Sequence, residues 1–190
     1  MIIIISGSSG VGKGTICKKV SELTGIRVAI SATSRDKRKG EVEGKDYYFI
    51  PEEEFKLRIE RGDFLEYAVV YGHYYGTLKS EVEGEENVIL EIDVQGGLKV
   101  TKENPDILSI FLVPPTMEEL RKRLEKRGRE PKEAIEARLK AAEAEIAVGH
   151  KRYKYEVTND EIERTAKEVA EIIMRNGELG MRNESRTPNS

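Results

Sequence analysis

Cysteine is almost missing. Cys17 is the sole one in 190 residues, which excludes a disulfide within the chain and any thiolate metal cluster, and fits a reducing compartment. Long apolar runs are missing too. Only Met1 to Ile5 is densely apolar, far short of the ~20 residues a membrane helix needs, and it lacks the basic leader and small-residue cleavage site of a signal peptide. A cytoplasmic location is therefore the expectation. His73 and His150 stand at no metal-ligating distance in sequence from Cys, Asp or Glu. Nor is there an excess of one charge: 35% of the chain is charged, yet the formal net charge is only -3. No global field draws in nucleic acid or an anionic membrane, and no protein partner is implied. Any anion site has to be local.

What is present is an alternation of short β-branched runs with helical periodicity. Ile2 to Ser6 has the pattern of a strand buried on both faces. Beyond the glycines at 7, 10 and 12, Ile16, Val20 and Leu23 recur at helical spacing until Gly25. Val88 to Asp93 and Ile107 to Val113 are further strand candidates, the second closed by Pro114 and Pro115. Thr116 with Glu119 makes a capping box ahead of Met117, Leu120 and Leu124, and Ile135, Leu139, Ala142 and Ile146 mark another helix face. Tyr153 to Thr158 reads as a last strand, and Asp160 with Glu163 opens a helix carrying Ile162, Ala166, Val169 and Ile173. Such alternation predicts an α/β fold, a parallel sheet with helices on both faces joined by right-handed crossovers.

Two segments break the rhythm. Ser31 to Leu78 is rich in Gly, Tyr and charge, with strand-like pieces around one helix from Pro51 to Arg61, and reads as an inserted mixed α+β lobe. Arg127 to Lys132 is polar, dense in Arg and without an apolar anchor, and reads as a lid. The domain reading is a core of 1–30, 79–126 and 139–176, a lobe of 31–78, a lid of 127–138 and an unstructured tail of 177–190.

The chemistry starts at Gly7-Ser8-Ser9-Gly10-Val11-Gly12-Lys13. This is phosphate-loop spacing: small residues let backbone N–H groups wrap phosphate oxygens, the following helix N-terminus favours anions, and Lys13 adds a point charge. The residue after the lysine is Gly14, not the usual Ser or Thr, and Thr15 is the next hydroxyl. A loop hydroxyl normally helps hold Mg²⁺, so Thr15, water and a carboxylate are left as candidates. Adenylate kinases resemble this Gly-Lys-Gly-Thr ending. The loop alone does not name the phosphoryl acceptor.

The acceptor comes from a resemblance. Ser31 to Arg35 continuing to Arg38, Gly40-Glu41, Gly44, Asp46 to Phe49, Phe64 to Tyr67, Tyr74 to Thr77, Ile92 to Gly96, Phe111 to Pro115, Arg123 to Gly128 and Asn159-Asp160 follow one another as in the guanylate kinase family. The chain resembles that family over roughly residues 1 to 173. The resemblance implies a phosphate-loop kinase core with a five-stranded parallel sheet, a GMP-binding lobe, ATP and GMP or dGMP as substrates, and Mg²⁺ accompanying ATP. It implies ATP contacts from Ser8, Ser9, Gly10, Val11, Gly12, Lys13, Gly14, Thr15, Arg123, Arg127 and Asn159.

By the same resemblance, Arg35, Arg38, Tyr47 and Tyr75 would grip the GMP phosphate, a task suited to guanidinium forks and phenolic hydroxyls. Read by charge alone, Arg35 and Arg38 also fit a solvated run with Asp36, Lys37 and Lys39. Glu66 would read guanine, whose N1–H and N2–H₂ offer adjacent donors that one carboxylate accepts in parallel. Ser31, Gly76, Thr77 and Asp93 would complete the guanine and ribose side. Lys13, Arg35, Arg127 and Arg138 would serve catalysis by neutralising charge on the transferred group. Glu91 stands where many relatives carry Asp, with a metal or lysine contact expected. Scaffold domains of similar fold bind phosphopeptides without catalysis, but they generally have degraded phosphate loops, and this loop is intact. A kinase acting on a ribosyl bisphosphate is a nearer rival, against which Glu66 and Tyr75-Gly76-Thr77 argue.

Overall fold

A computed structural model describes residues 1–126 and 131–184, with side chains to residue 177. The N-terminal β-branched run forms β1 (Ile2–Gly7), paired in parallel on one side with β6 (Val88–Glu91) and on the other with β7 (Leu108–Val113), with β8 (Tyr155–Thr158) beyond β7. The period-two alternation of β1 divides its isoleucines between two helix layers. Ile3 and Ile5 pack with Ile16 and Val20 of α1 (Lys13–Thr24) and Val169 and Ile173 of α6 (Ile162–Glu184). Ile4 faces the other way, with Leu90 and with Val100 of α3 (Val94–Glu103). Burial on both faces explains the unbroken apolar run. Among the described residues no helix is long and apolar enough to cross a membrane.

The sheet has four strands where five were expected. At the position of the fifth, the chain makes one parallel bridge, Val28 to Ile89: Ala29 N donates to Ile89 O at 2.8 Å and Ile89 N to Arg27 O at 3.0 Å. Pairing stops there because by Ser31 the backbone has entered a second sheet.

That second sheet belongs to the inserted segment and runs β3-β2-β5-β4, from β2 (Ser31–Thr33), β3 (Tyr48–Phe49), β4 (Phe64–Val70) and β5 (His73–Leu78). It has a core of its own. Phe55 of α2 (Glu52–Arg61) stacks on Phe64 at 4.3 Å and on Tyr74 at 5.3 Å between ring centroids, with Ala32, Ile50 and Leu78 around them. Tyr71 (φ 50°) and Gly72 (φ 81°) form the two-residue turn between β4 and β5, both left-handed as a hairpin turn of this length requires.

On the core side, Thr116 Oγ1 accepts from Glu119 N at 3.0 Å ahead of α4 (Met117–Lys126), as its capping box predicts. Helix α5 (Lys132–Arg152) lies on β7 through Gly149, where a Cβ would come within 2.3 Å of the Phe111 ring. Several boundaries differ from the sequence reading. Tyr153 ends α5, so β8 starts only at Tyr155, and residues 132–138 of the expected lid form the first turns of α5, with Ile135 buried against Leu120 and Leu124 of α4. β6 ends at Glu91, and Asp93 leaves the strand to cap α3, accepting from Gly96 N at 2.9 Å. The backbone of α6 stays helical to Glu184, where a tail was expected from residue 177, because the segment meets no proline before Pro188 and the i→i+4 ladder runs on past the packed face. Residues 185–190, like Arg127 and the first residues of the expected lid, lie outside the described residues.

Candidate active site

The phosphate loop bridges β1 and α1. Gly10 (φ 89°) and Gly12 (φ 101°) are left-handed, and each is also hemmed in: a Cβ on Gly10 would lie 2.7 Å from Leu124 Cδ2, and one on Gly12 would lie 2.9 Å from Asn159 Nδ2. Three groups from distant elements fix the loop. Asn159 Nδ2 donates to Val11 O at 2.7 Å, Arg123 Nη1 donates to the same oxygen at 3.3 Å, and Glu145 Oε2 accepts from Ser9 N at 3.2 Å. Lys13 Nζ donates to Gly7 O at 2.8 Å. Ser8 Oγ is buried and makes no hydrogen bond among the described residues.

Clefts open on either side of the loop. One is walled by Gly10, Val11, Gly12, Thr15, Arg123, Lys126, Asn159 and Asp160, and gathers much of the expected ATP set. The other, with about 510 Å³ of empty space, lies between the loop and the inserted lobe and is lined by Lys13, Ser31, Tyr47, Glu66, Tyr75, Gly76, Glu91 and Asp93.

Register explains how the lobe presents these groups. Ser31 pairs with Thr77 across β2 and β5, and Thr77 pairs with Glu66 across β5 and β4, so the three form a row on one face. The row depends on a bulge between Phe64 and Glu66. Strict alternation would put both on the same face. The extra residue lets Phe64 pair with Leu78 toward the lobe core while Glu66 stands opposite Thr77 in the cleft. Thr77 Oγ1 donates to Glu66 Oε1 at 2.9 Å. Burial raises the Glu66 carboxyl to about 7, with Asp93 adding to the rise and the Thr77 hydrogen bond and Lys99 opposing it. Gly76 is obligatory beside this row, since a Cβ would sit 2.7 Å from Glu66 O.

Arg35 is buried in the lobe with its guanidinium in a fork against Glu41: Nη2 to Oε1 at 2.6 Å and Nη1 to Oε2 at 2.8 Å. It also lies 5.0 Å from the Tyr47 ring centroid and 5.5 Å from that of Phe49. Glu41 holds the Arg35 pKa above its ordinary value, with Tyr75 contributing. Glu41 Oε2 also accepts from Arg38 N at 2.8 Å, while the Arg38 side chain is exposed. Tyr47 and Tyr75 meet edge to face at 6.0 Å, and burial pushes the Tyr47 hydroxyl up to about 12. Arg138 on α5 is 4.9 Å from the ring centroid of Tyr71 at the hairpin tip, joining the stem of the expected lid to the lobe.

Sequence reasoning assigned no role to two residues. Glu41 carried a faint signal, an opposite charge six positions from Arg35 among glycines. Glu145 carried none. It reaches Ser9 because it sits one turn before Gly149, on the same face of α5 that packs on β7. Thr15, the expected loop hydroxyl for a metal, faces the cleft of Arg123 and Asn159, whereas Glu91 shares the other cleft with Lys13. Among the described residues, no group of three or more His, Cys, Asp or Glu is placed to hold a metal. The donor chemistry still suits Mg²⁺, which keeps several waters and takes one or two carboxylates plus substrate phosphates. Burial raises the Glu91 pKa, and Lys13 opposes the rise.

A parallel α/β sheet with a phosphate loop at its first strand, faced across a cleft by an inserted lobe carrying polar rows, defines a phosphate-loop protein built to hold two ligands against each other. The model of the guanylate kinase family matches residues 1–176, and the chain belongs to that family. A guanylate kinase of Clostridium perfringens is 50% identical over 179 residues, covering 92% of this chain and 82% of the relative. One from Caldanaerobacter subterraneus is 49% identical, covering 92% and 86%. The crystal structure of guanylate kinase from Anaplasma phagocytophilum superposes with a TM-score of 0.76 at 35% identity, covering 92% of this chain and 85% of that one.

Proposed function

We infer that this chain transfers the terminal phosphoryl group of ATP to GMP, and to dGMP, as a cytoplasmic enzyme. The row of Ser31, Thr77 and Glu66 facing Lys13 across one cleft carries this reading, because it sets a purine-reading carboxylate opposite a phosphate-binding loop.

ATP lies along the loop, its phosphates wrapped by the backbone N–H groups of Ser9 to Thr15 and its base end toward Arg123 and Asn159. GMP enters the lobe of residues 31–78. Glu66, ionised, accepts guanine N1–H and N2–H₂; adenine offers no such pair of donors. Ser31, Gly76, Thr77 and Asp93 shape the pocket around base and ribose. Arg35 and Arg38, with the Tyr47 and Tyr75 hydroxyls, grip the acceptor phosphate, and Glu41 holds Arg35 ready in its fork.

Phosphoryl transfer asks little covalent chemistry of the protein. Catalysis consists of aligning donor and acceptor and screening their charges. Lys13 moves from Gly7 O to the transferred group, while Arg123, Arg127 and Arg138 neutralise charge as residues 127–138 close and exclude water. Glu91, which lines the cleft with Lys13, would help hold the Mg²⁺ that accompanies ATP, and the ion would supply charge neutralisation on the phosphates.

A coupled assay of ADP release with GMP, dGMP, AMP and UMP offered separately tests the assignment. Rapid turnover with GMP and dGMP is expected. Turnover with AMP and none with GMP overturns it.

A further inference from the structure

Tyr71 stands where its own backbone resists it. It is the first residue of the turn between β4 and β5, and among the described residues it alone is left-handed without being glycine (φ 50°). Two-residue turns of this kind take Asn, Asp or Gly at that position, and a bulky side chain there is strained. Burial does not offset the strain, because the side chain is 55% exposed and lies outside the lobe core around Phe55. What the ring does meet is the Arg138 guanidinium, 4.9 Å from its centroid.

Arg138 is carried by a fixed arm. Arg138, Ala142, Glu145 and Gly149 follow one another along a single stripe of α5, at the spacing of successive helical turns. Gly149 lets the helix close on the Phe111 ring, Ala142 is buried with Leu120 and Leu124, and Glu145 accepts from Ser9 N of the phosphate loop at 3.2 Å. The stripe therefore runs from the central sheet past the donor loop to the hairpin tip of the acceptor lobe. Val70, next to Tyr71 in the chain, lines the acceptor cleft, so the Arg138 guanidinium rests at the rim of that cleft.

We propose that Tyr71 is a positioning residue: its ring, held out by a left-handed backbone, seats Arg138 at the mouth of the acceptor cleft, so that phosphate loop and lobe meet through α5 with the arginine already in place. An arginine side chain loses much rotamer freedom when it is fixed. Cation–π contact with the ring takes up part of that loss before substrates bind. The strain at an exposed aromatic is then intelligible, because the contact needs a ring and the turn does not. This rests on the reading that Arg138 neutralises charge on the phosphoryl group in transit.

The test compares Tyr71→Asn, Tyr71→Phe, Arg138→Ala and the double variant of Tyr71→Asn with Arg138→Ala, by steady-state kinetics with ATP and GMP and by thermal unfolding. Asparagine removes the ring and suits the left-handed turn. Tyr71→Asn should therefore melt at or above the temperature of the parent while kcat falls about fivefold and KM for ATP stays within about twofold. Tyr71→Phe keeps the ring and should stay within about twofold of the parent in kcat. In the Arg138→Ala background, Tyr71→Asn should cost nothing further. The proposal is overturned, and the role of Arg138 left standing, by any of four results: a kcat for Tyr71→Asn at or above that of the parent, an equal fall in the Arg138→Ala background, a melting temperature for Tyr71→Asn below that of the parent, or a loss in Tyr71→Phe as large as in Tyr71→Asn. Parental kcat in Arg138→Ala overturns both.

Discussion

Thr77 Oγ1 donates to Glu66 Oε1 at 2.9 Å, and the pair is sealed in the lobe, 1% and 3% exposed. One hydrogen bond does not offset the desolvation of a carboxylate this deeply buried, and the Glu66 pKa accordingly rises from 4.5 to about 7. Empty, the pocket favours a proton on the group that guanine requires ionised.

Binding of GMP should therefore release a proton. Near pH 6 the free enzyme carries Glu66 largely protonated and the complex does not, so kcat/KM for GMP should fall as pH drops below about 7. Calorimetry in buffers of different ionisation enthalpy should read a release at pH 6 that exceeds that of Glu66→Gln by up to about one proton, the remainder coming from the GMP phosphate, whose second pKa is about 6, and the difference should fade above pH 8. Glu66→Gln should lower kcat/KM for GMP by ~10²-fold or more. In the ligand-free protein the sign for folding is opposite to that of a salt-bridged acid. The folded state holds the extra proton, so stability declines as pH rises from 4.5 through about 7.

Gly96 should prove as necessary as Glu66. A Cβ there would lie 2.3 Å from Glu66 Oε2, so Gly96→Ala must turn the carboxylate out of its place. Alanine suits a helix better than glycine, which leaves α3 without a reason to unravel. The expected phenotype is a protein melting within a few degrees of the parent whose KM for GMP rises at least ~10-fold while that for ATP stays put, read by thermal unfolding and steady-state kinetics.

Glu41 should act on the acceptor without touching it. Its carboxylate accepts from Nη1 and Nη2 of Arg35 and from the Arg38 amide. In Glu41→Ala the guanidinium loses its fork, and KM for GMP is expected to rise about tenfold, with kcat within about threefold and KM for ATP unchanged. A lower KM for GMP would mean that Glu41 competes with the phosphate for Arg35.

Much of this was legible beforehand because the signals are local. The β1 run, the glycine loop, Lys13, the capping box at Thr116 and the stop at Gly25 each depend on neighbours a few positions away. The fifth strand, implied by the family resemblance alone, does not form, for the opposite reason. Ile26 to Ile30 is apolar enough to pair, but its course is decided by the second sheet that it enters at Ser31. Glu145 was invisible for a related reason, since its partner Ser9 lies 136 positions away and meets it only once α5 has settled on Phe111.

By itself, the sequence determined the alternation of strand and helix, the left-handed glycines of the phosphate loop and the inventory of charged and phenolic groups, because periodicity and backbone freedom are properties of short stretches. Tertiary structure alone decided which face Glu66 turns to, what holds Arg35, and why residue 96 carries no side chain. Those outcomes turn on a bulge, a buried fork and a carboxylate arriving from another strand, and through-space packing of that kind leaves no local mark in the chain.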